Sequence, residues 1–346
     1  MRKLSIPLKV GVIGLGHLGR YHAEKVAQIS IVGLGEEEDG LKEGMVELTA
    51  ICDIDEKRLD EVLALIFERY RLEPYKTPHF EEVLSLVDAV VVATPTSTHY
   101  EVVKKALLGG KDVLVEKPLT VSLDEAKELI ELSEERGLIL QVGYVERFQK
   151  VIEEVRRLVE DPIFIEAHRI GSFTERNLDI DVVLDLMVHD LDLVFLFKSP
   201  DDLEFIHAVG APVFTENPDI VNARLVFKDG TTCNLTASRI SLSKQRKFRI
   251  FCVGDYFRVD TFEKSLMRVL VDKKKRDYRV EKLRFPEDDP LLREVQSFVK
   301  AVLGMVEPKA QAKETLPSLE VALRIKSEVE KNLMKYKDFR KLSLVE

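Results

Sequence analysis

The sequence has no tryptophan and only three cysteines among its 346 residues. The cysteines, Cys52, Cys233 and Cys252, lack the paired spacing of zinc sites and disulfide frameworks, so we interpret them as reduced residues of a cytoplasmic protein. No apolar run approaches the roughly 20 residues that a membrane-spanning helix needs. The basic N-terminus contains no continuous apolar segment, which argues against a secretory signal.

An excess of positive charge is missing as well. Lysine and arginine together number 52 against 61 acidic residues, which gives a net charge of −9, and the two signs are interspersed. A nucleic-acid-binding surface would need a basic patch, so we expect no nucleic-acid partner. Apolar residues make up 45% of the chain, which is ample for the two cores that the length predicts at about 150 residues per domain.

The order of apolar patterns predicts an α/β fold with two different domains. In residues 1–147, short apolar runs alternate with amphipathic helical patterns, which is typical of a doubly wound parallel sheet. Residues 148–346 contain several strands without regular crossover helices, which indicates an α+β domain with an open, mostly antiparallel sheet. We expect the last helix, at about 318–334, to pack back on the first domain.

A glycine-rich turn near the N-terminus carries the clearest signal. The apolar run Val10–Ile13 predicts a buried strand, and a helix is predicted over Arg20–Ile29. Gly14 allows a tight turn, Gly16 lets the backbone approach a diphosphate, and Gly19 lets the helix pack closely on the strand. The helix N-terminus favours an anion there, although such a turn can also be purely structural. The predicted dinucleotide-binding residues of this turn are Gly14, Gly16, His17, Leu18 and Gly19.

A carboxylate follows the second predicted strand. Asp53 ends the apolar run 47–52, where a dinucleotide-binding fold places an acidic residue on the adenosine ribose. Such a carboxylate accepts hydrogen bonds from both ribose hydroxyls and repels a 2′-phosphate, which favours NAD over NADP. An acidic loop, Gly33–Gly44, accounts for its distance from Gly19. The alternative is that Asp53 caps the following helix.

Three residues have the character of catalytic groups. Lys117 follows a buried strand, and the carboxyl ends of parallel strands face the ligand crevice. Asp185 and His189 are four residues apart in the apolar run 182–196, so they share a helix face as a general base and its orienting carboxylate. The alternatives are a solvated lysine and a core histidine satisfied by Asp185. Asp190 lies on another face of the same helix, as an exposed or capping residue.

Other polar residues give weaker signals. Arg147 and Arg169 are candidate anion ligands, and the alternative for each is a surface or salt-bridged arginine. The remaining histidines show no ligand spacing, and we therefore predict no metal site; they are His17, His22, His79, His168 and His207.

Several motifs in order and spacing resemble the glucose–fructose oxidoreductase / inositol dehydrogenase / MocA family over nearly the whole chain. The motifs are VGVIGLGHLG, ATPTSTHYEV, VLVEKPLTVSLDEAKELI, GYVERF and DLMVHD. The resemblance implies a Rossmann domain that binds NAD, a second domain with an open antiparallel sheet, and a homodimer or homotetramer. It also implies roles for individual residues: catalysis by Lys117, Asp185 and His189, cofactor contacts by Thr94, Pro95, His99, Glu116 and Lys117, and substrate contacts by Tyr144 and Arg147.

One stretch departs from the family pattern. Many members have a glycine-rich segment before the catalytic aspartate, where this chain has residues 179–184, and this weakens any transfer of inositol or glucose specificity. The segments EAHRIGSF and NARLVFKDGTTCNLTASR are closer to a subgroup that oxidises UDP-N-acetylglucosamine at carbon 3, towards diamino-sugar lipid A. The resemblance then implies that Arg169 or Arg239 meets the diphosphate. Another sugar or polyol dehydrogenase, or a redox-neutral NAD-dependent glycosidase, is the alternative.

Overall fold

The computed structural model describes residues 6–33, 42–173 and 180–343, and their contacts divide the chain into two compact units. The first unit combines Met1–Val145 with Asp289–Leu316, and the second combines Glu146–Asp288 with Pro317–Glu346. The chain therefore leaves the first unit two residues before the predicted boundary, and it returns there once. Asp179 and most of the predicted acidic loop lie outside the described residues.

The first unit is built on a six-stranded sheet in which all paired strands are parallel. Its strands are β1 (Leu8–Ile13), β2 (Val46–Cys52), β3 (Tyr75–Thr77), β4 (Ala89–Val92), β5 (Asp112–Glu116) and β6 (Leu140–Gly143). Their order across the sheet is β3-β2-β1-β4-β5-β6. Successive strands are therefore added to one side of β1 as far as β3 and to the other side from β4 onwards. In such sheets ligands bind at the carboxyl ends of the strands, beside the point between β1 and β4.

Five helices connect these strands. They are α1 (Gly19–Val32), α2 (Glu56–Tyr70), α3 (Phe80–Leu86), α4 (Thr96–Leu108) and α5 (Leu123–Arg136). Apolar side chains of β1, β2, α1 and α2 form a continuous buried cluster that includes Val10, Val26 and Ile66. This packing holds α1 against the sheet, so its first turn lies where β1 ends.

The second unit contains an eight-stranded sheet and a short helical layer. The helical segments are α6 (Lys150–Leu158), a π-helical turn (Val183–Met187) and α7 (Val188–Val194). The strands are β7 (Phe164–Ile170), β8 (Leu203–Ala211), β9 (Ile220–Phe227), β10 (Thr232–Ser238), β11 (Gln245–Cys252), β12 (Asp255–Asp260), β13 (Ser265–Asp272) and β14 (Asp277–Arg284).

The strands of this second sheet run in the order β14-β13-β12-β11-β7-β10-β9-β8. Only β7 and β10 pair in parallel, and the other neighbours are antiparallel. The π-helical turn packs on β10 and α7 packs on β7. One face of the central strands is therefore covered, and Ile165, Ala167 and Arg169 alternate along β7 as its buried residues.

The two C-terminal helices join different units. Helix α8 (Pro290–Val302) packs on α1 and adds Phe298 to the core of the first unit. Helix α9 (Ala312–Ser343) belongs to the second unit from Pro317 onwards, where Asn332 Nδ2 donates to the Ala208 carbonyl oxygen at 2.8 Å. That this helix also packs back on the first domain stays a prediction. An amphipathic pattern shows that one face is buried but not what covers it.

The predicted fold class is confirmed, since a parallel doubly wound sheet is followed by a mostly antiparallel one. The sequence analysis missed β3, α3 and β14, of which the first two have only three and seven residues. Among the residues that the structure describes, no helix combines the length and the apolar character that a membrane crossing requires.

Candidate functional site

The glycine turn is packed so closely against its neighbours that no side chain fits at two positions. Gly14 has φ of +85°, and a Cβ there would lie 2.7 Å from the backbone of Ala93. A Cβ on Gly19 would lie 1.8 Å from the Gly14 carbonyl oxygen. The Gly14 amide also donates to the Cys52 carbonyl oxygen at 2.8 Å. The turn is thus fixed against the carboxyl ends of β2 and β4, on either side of β1.

Gly16, His17 and Leu18 of the turn face open space. A Cβ on Gly16 would meet no heavy atom within 4 Å, and His17 and Leu18 are exposed. The first turn of α1 contains no acidic residue, and no side chain caps it. Backbone N–H groups at a helix N-terminus attract anions, and here neither a side chain nor an acidic residue competes for them. The turn therefore fits a dinucleotide diphosphate.

Asp53 ties this turn to the end of β2. Its Oδ2 accepts from the Leu15 amide at 2.7 Å, and its Oδ1 accepts from the Asp55 amide at 2.9 Å. Arg58 donates to both oxygens, at 3.3 and 3.2 Å. The residue that caps α2 is Asp55, which accepts from the Arg58 amide, so the alternative of Asp53 as the cap is wrong. The sequence analysis did not single out Arg58, whose pairing with Asp53 joins α2 to this edge.

His99 lies behind the cofactor-facing loops rather than on their surface. The ring is 1% exposed, and its nitrogens lie 2.9 Å from the Pro118 and Thr94 carbonyl oxygens. Burial lowers the pKa of His99, although its two carbonyl partners oppose this. The histidine therefore joins the loop after β4 to the loop after β5. Thr94 is half-buried and Pro95 exposed, so these two residues remain accessible.

Glu116 ends β5 within a buried group of titratable side chains. Its Oε1 lies 2.7 Å from His22 Nε2, and its Oε2 accepts from the Lys117 amide at 3.3 Å. Burial would raise the pKa of Glu116, but the hydrogen bond and charge of His22 and the charge of Lys117 outweigh it and lower that pKa. An ionised carboxylate is therefore held next to the half-buried Lys117.

Glu294 of α8 completes this buried group. Its donor atoms and those of His22 and Glu116 all lie within 4.8 Å of one another. Neither carboxyl oxygen of Glu294 has a hydrogen-bond partner, and burial, followed by the charge of Glu116, raises the pKa of Glu294 well above its usual range. Burial therefore favours the neutral form of Glu294. The three residues show no metal-ligand spacing in the sequence, because they are 94 and 178 positions apart.

In the second unit, Asp185 and His189 lie where two kinds of helix meet. Asp185 belongs to the π-helical turn and His189 to the first turn of α7, whereas the sequence predicted one regular helix over 182–196. Asp181 begins this segment, and its Oδ1 accepts from the amides of Val183 and Leu184 at 2.9 and 3.1 Å. Both Asp185 and His189 are half-buried. Single π-helical turns are frequent at functional sites, and here the turn presents Asp185.

Arg169, a predicted anion ligand, is paired with two carboxylates in the structure. The side chain is buried, and it donates to Glu146 at 2.7 Å and to Asp190 at 2.8 Å. Although burial opposes its charge, the two carboxylates raise the pKa of Arg169. Asp190, expected to be exposed or capping, is 4% exposed. The guanidinium is needed to balance these buried acids, since leaving one of them unpaired would be costly.

The other two predicted arginine ligands are also engaged by carboxylates. Arg147 Nε and Nη2 donate to the two oxygens of Asp192 at 2.6 and 2.7 Å. Arg239 Nε donates to the buried Asp219 at 2.8 Å. Tyr144, expected on the substrate side, is 2% exposed. Each of these side chains is thus buried or pairs with an acid that sequence separation concealed, and its contact with a substrate stays a prediction.

Comparison with known proteins identifies relatives along most of the chain. Residues 8–144 match a family described as an oxidoreductase family with an NAD-binding Rossmann fold. The UDP-N-acetylglucosamine 3-dehydrogenase of Acidithiobacillus ferrooxidans is 37% identical over 262 residues, which are 75% of this chain and 76% of that protein. The myo-inositol 2-dehydrogenase of Thermotoga maritima is 30% identical over 67% of this chain and 69% of that protein.

Solved structures give the same relationship. The structure of the Acidithiobacillus ferrooxidans enzyme superposes with a TM-score of 0.82 at 33% identity, covering 94% of this chain and 99% of that one. A scyllo-inositol dehydrogenase of Lactobacillus casei with bound NAD(H) and scyllo-inositol gives a TM-score of 0.72 at 19% identity, over 94% of this chain and 97% of that one. At this lower identity the likeness shows a shared fold alone.

Gly19→Ala and Gly16→Ala form a matched pair that tests the packing of the turn. At Gly19 the added Cβ would lie 1.8 Å from a carbonyl oxygen, so the backbone must shift. We expect a loss of about 1–3 kcal/mol in the free energy of unfolding. At Gly16 nothing lies within 4 Å of the added Cβ. We expect a change below about 0.5 kcal/mol there. Urea unfolding followed by circular dichroism measures both, and equal losses would contradict the described packing.

Proposed function

Because the chain belongs to the oxidoreductase family with an NAD-binding Rossmann fold, we propose that it oxidises the 3-hydroxyl of UDP-N-acetylglucosamine to a ketone, with NAD as the hydride acceptor. The observation that carries this proposal is the 37% identity to a UDP-N-acetylglucosamine 3-dehydrogenase over three quarters of both chains. The relationship to inositol dehydrogenases makes polyol oxidation the second candidate. The 3-keto sugar is a substrate for transamination, as a route to diamino-sugar lipid A requires.

The residues at the carboxyl edge of the first sheet fit NAD. We propose that the turn Gly14–Gly19 and the N-terminus of α1 hold the diphosphate, and that Asp53 accepts from the ribose hydroxyls. Arg58 occupies lone pairs of Asp53 at present, but this side chain is 44% exposed and can move aside. Thr94 and Pro95 would contact the cofactor directly. His99 and Glu116 would act from behind, by fixing the two loops and the position of Lys117.

The proposed reaction needs a base and a stabilised alkoxide. His189 would take the proton of the substrate hydroxyl, and Asp185 would orient its ring and stabilise the imidazolium. Lys117 would donate to the same oxygen and so lower the pKa of the hydroxyl. When bound, NAD supplies the hydride acceptor for the hydrogen on the reacting carbon. In this family either Lys117 or His189 can be argued to be the general base. We assign this role to His189, because Asp185 lies in the same helical segment as His189.

We also propose that the enzyme works in the cytoplasm as a homodimer or homotetramer. Its three cysteines are free in the structure, which fits a reducing compartment. Large apolar side chains are exposed on the edge strands of the second sheet, with Phe205 at 54% and Tyr278 at 68%. Burial between copies of the chain would remove them from water. A light-scattering mass of a single chain would contradict the oligomer.

Substitution of the proposed catalytic residues tests their roles separately from cofactor binding. His189→Asn and Lys117→Met should each lower kcat by about a hundredfold or more, the usual contribution of general acid–base catalysis. NAD binding, measured by titration calorimetry, should remain. His207→Asn is the control, because this histidine is exposed on β8. Near-normal turnover in both variants would contradict the assignment.

The substrate itself is tested by following NADH absorbance. Purified protein is mixed with NAD and UDP-N-acetylglucosamine, with a partner aminotransferase and glutamate to remove the ketone and pull the equilibrium. We expect NADH that depends on the nucleotide sugar, and none with myo- or scyllo-inositol. NADH with the inositols alone would overturn the substrate assignment in favour of a polyol dehydrogenase. Release of a free sugar without net NADH would instead indicate a redox-neutral glycosidase.

A further inference from the structure

Arg246 is a half-buried cation on the covered face of the second sheet. It pairs in register with Arg169 of the neighbouring strand β7. Its Nη1 is buried and has no hydrogen-bond partner, and among the described residues no carboxylate forms an ion pair with it. Glu146 and Asp190, two acids whose charges act on Arg246, are bound by Arg169. The side chain is half-buried, and a buried guanidinium nitrogen with an unused donor is costly unless a ligand satisfies it.

A second cation lies beside it. Lys244 precedes β11, is exposed, and holds its Nζ 4.6 Å from the centre of the Phe262 ring. Burial and the charge of Arg246 both lower the pKa of Lys244, and burial and the charge of Arg169 lower the pKa of Arg246 to about 10. The positive charges of both side chains are thus disfavoured by burial and by neighbouring cations. A bound anion would stabilise both charges. Lys244 is the more exposed of the two side chains, since Arg246 is half-buried.

The position of Arg246 relative to the proposed catalytic residues favours a diphosphate as the bound anion. Asp185 is close enough for its charge to act on Arg246, and α7 with His189 packs on β7, the strand next to β11. In a nucleotide sugar, carbon 1 bears the diphosphate and lies two positions from carbon 3 in the same ring. A diphosphate must therefore lie near the reacting hydroxyl. Arginine forks match phosphate oxygens in pairs, and lysine adds a point charge.

We propose that Arg246 and Lys244 form the diphosphate site for the nucleotide-sugar substrate, in place of Arg169 and Arg239. This inference rests on the proposed function, since it assigns the diphosphate of the same substrate. It gives a role to the unused Nη1 of Arg246, whereas the guanidinium groups of Arg147, Arg169 and Arg239 each pair with a carboxylate. It also gives the chain a means of selecting a nucleotide sugar over an uncharged polyol.

The chain offers a matched control on the same strand. Residues alternate between the two faces of β11, so Arg246 shares a face with the buried Phe248 and Ile250, and Lys247 points to the opposite face. Lys247→Gln thus removes a neighbouring positive charge without touching the proposed site. Arg246→Lys keeps the positive charge but removes the forked guanidinium. This variant keeps the proposal testable if Arg246→Gln does not fold. Thermal melting followed by circular dichroism verifies that each variant folds.

The test is titration calorimetry of the full-length protein, saturated with NAD, with UDP and with inorganic pyrophosphate as probes. We expect wild type and Lys247→Gln to bind UDP equally, Arg246→Gln to bind it about tenfold or more weakly, and Lys244→Gln and Arg246→Lys to lie between. Added salt should weaken binding to wild type more than to Arg246→Gln. UDP binding that is unchanged in Arg246→Gln, or absent in folded wild type, would overturn the proposal.

Steady-state kinetics separates failure of this site from failure of the proposed function. With UDP-N-acetylglucosamine, Arg246→Gln should raise KM about tenfold or more while kcat changes much less. A fall in kcat at unchanged KM would contradict a binding role and show that Arg246 acts through Asp185. If wild type binds UDP through Arg246 but does not oxidise the sugar, the site stands and the proposed function fails. If it oxidises the sugar and KM is unchanged in the variant, the function stands and the site fails.

Discussion

The approach of backbone to backbone at the glycine turn is the constraint on which the first unit depends. Gly19 meets the carbonyl oxygen of Gly14, and Gly14 meets the backbone that follows β4, with no space for a methyl group at either position. Asp53 then fixes the same turn to β2 through the Leu15 amide. The N-terminus of α1 is thereby held accessible at the edge of the sheet where β5 ends with Glu116 and Lys117 follows. Every residue that we propose to hold NAD is placed by this one turn or by a loop packed against it.

The second unit is organised by charge rather than by close backbone contact. Arg147, Arg169 and Arg239 each neutralise a buried or nearly buried carboxylate, and together they fix α7 and the strand ends around it. Such pairs contribute little net stability compared with apolar packing, but removing one partner leaves an uncompensated buried charge. They hold the segment with Asp185 and His189 in a defined position. Arg246, which has no carboxylate partner among the described residues, is therefore the arginine for which we propose a ligand.

The sequence was sufficient where a pattern is local. Strands β9 and β10 alternate buried and more exposed residues on either side of a Lys228-Asp229-Gly230 turn, so this pair of strands has a signature within the sequence itself. The glycine motif likewise carried its own strand–turn–helix context. Roles that depend on tertiary partners could not be predicted in this way. Arg169 and its partner Glu146 are 23 residues apart, so a buried ion pair looked like a free anion ligand.

The central claim is that the hydrogen on carbon 3 of UDP-N-acetylglucosamine is transferred to NAD on this protein. The most direct measurement uses substrate deuterated at carbon 3 and follows the label by mass spectrometry. The account predicts deuterium in the reduced cofactor and a 3-keto sugar without the label. Reduced cofactor that lacks deuterium would show that another carbon is oxidised. Label retained in a released sugar, with no net reduced cofactor, would show a redox-neutral reaction and contradict the account.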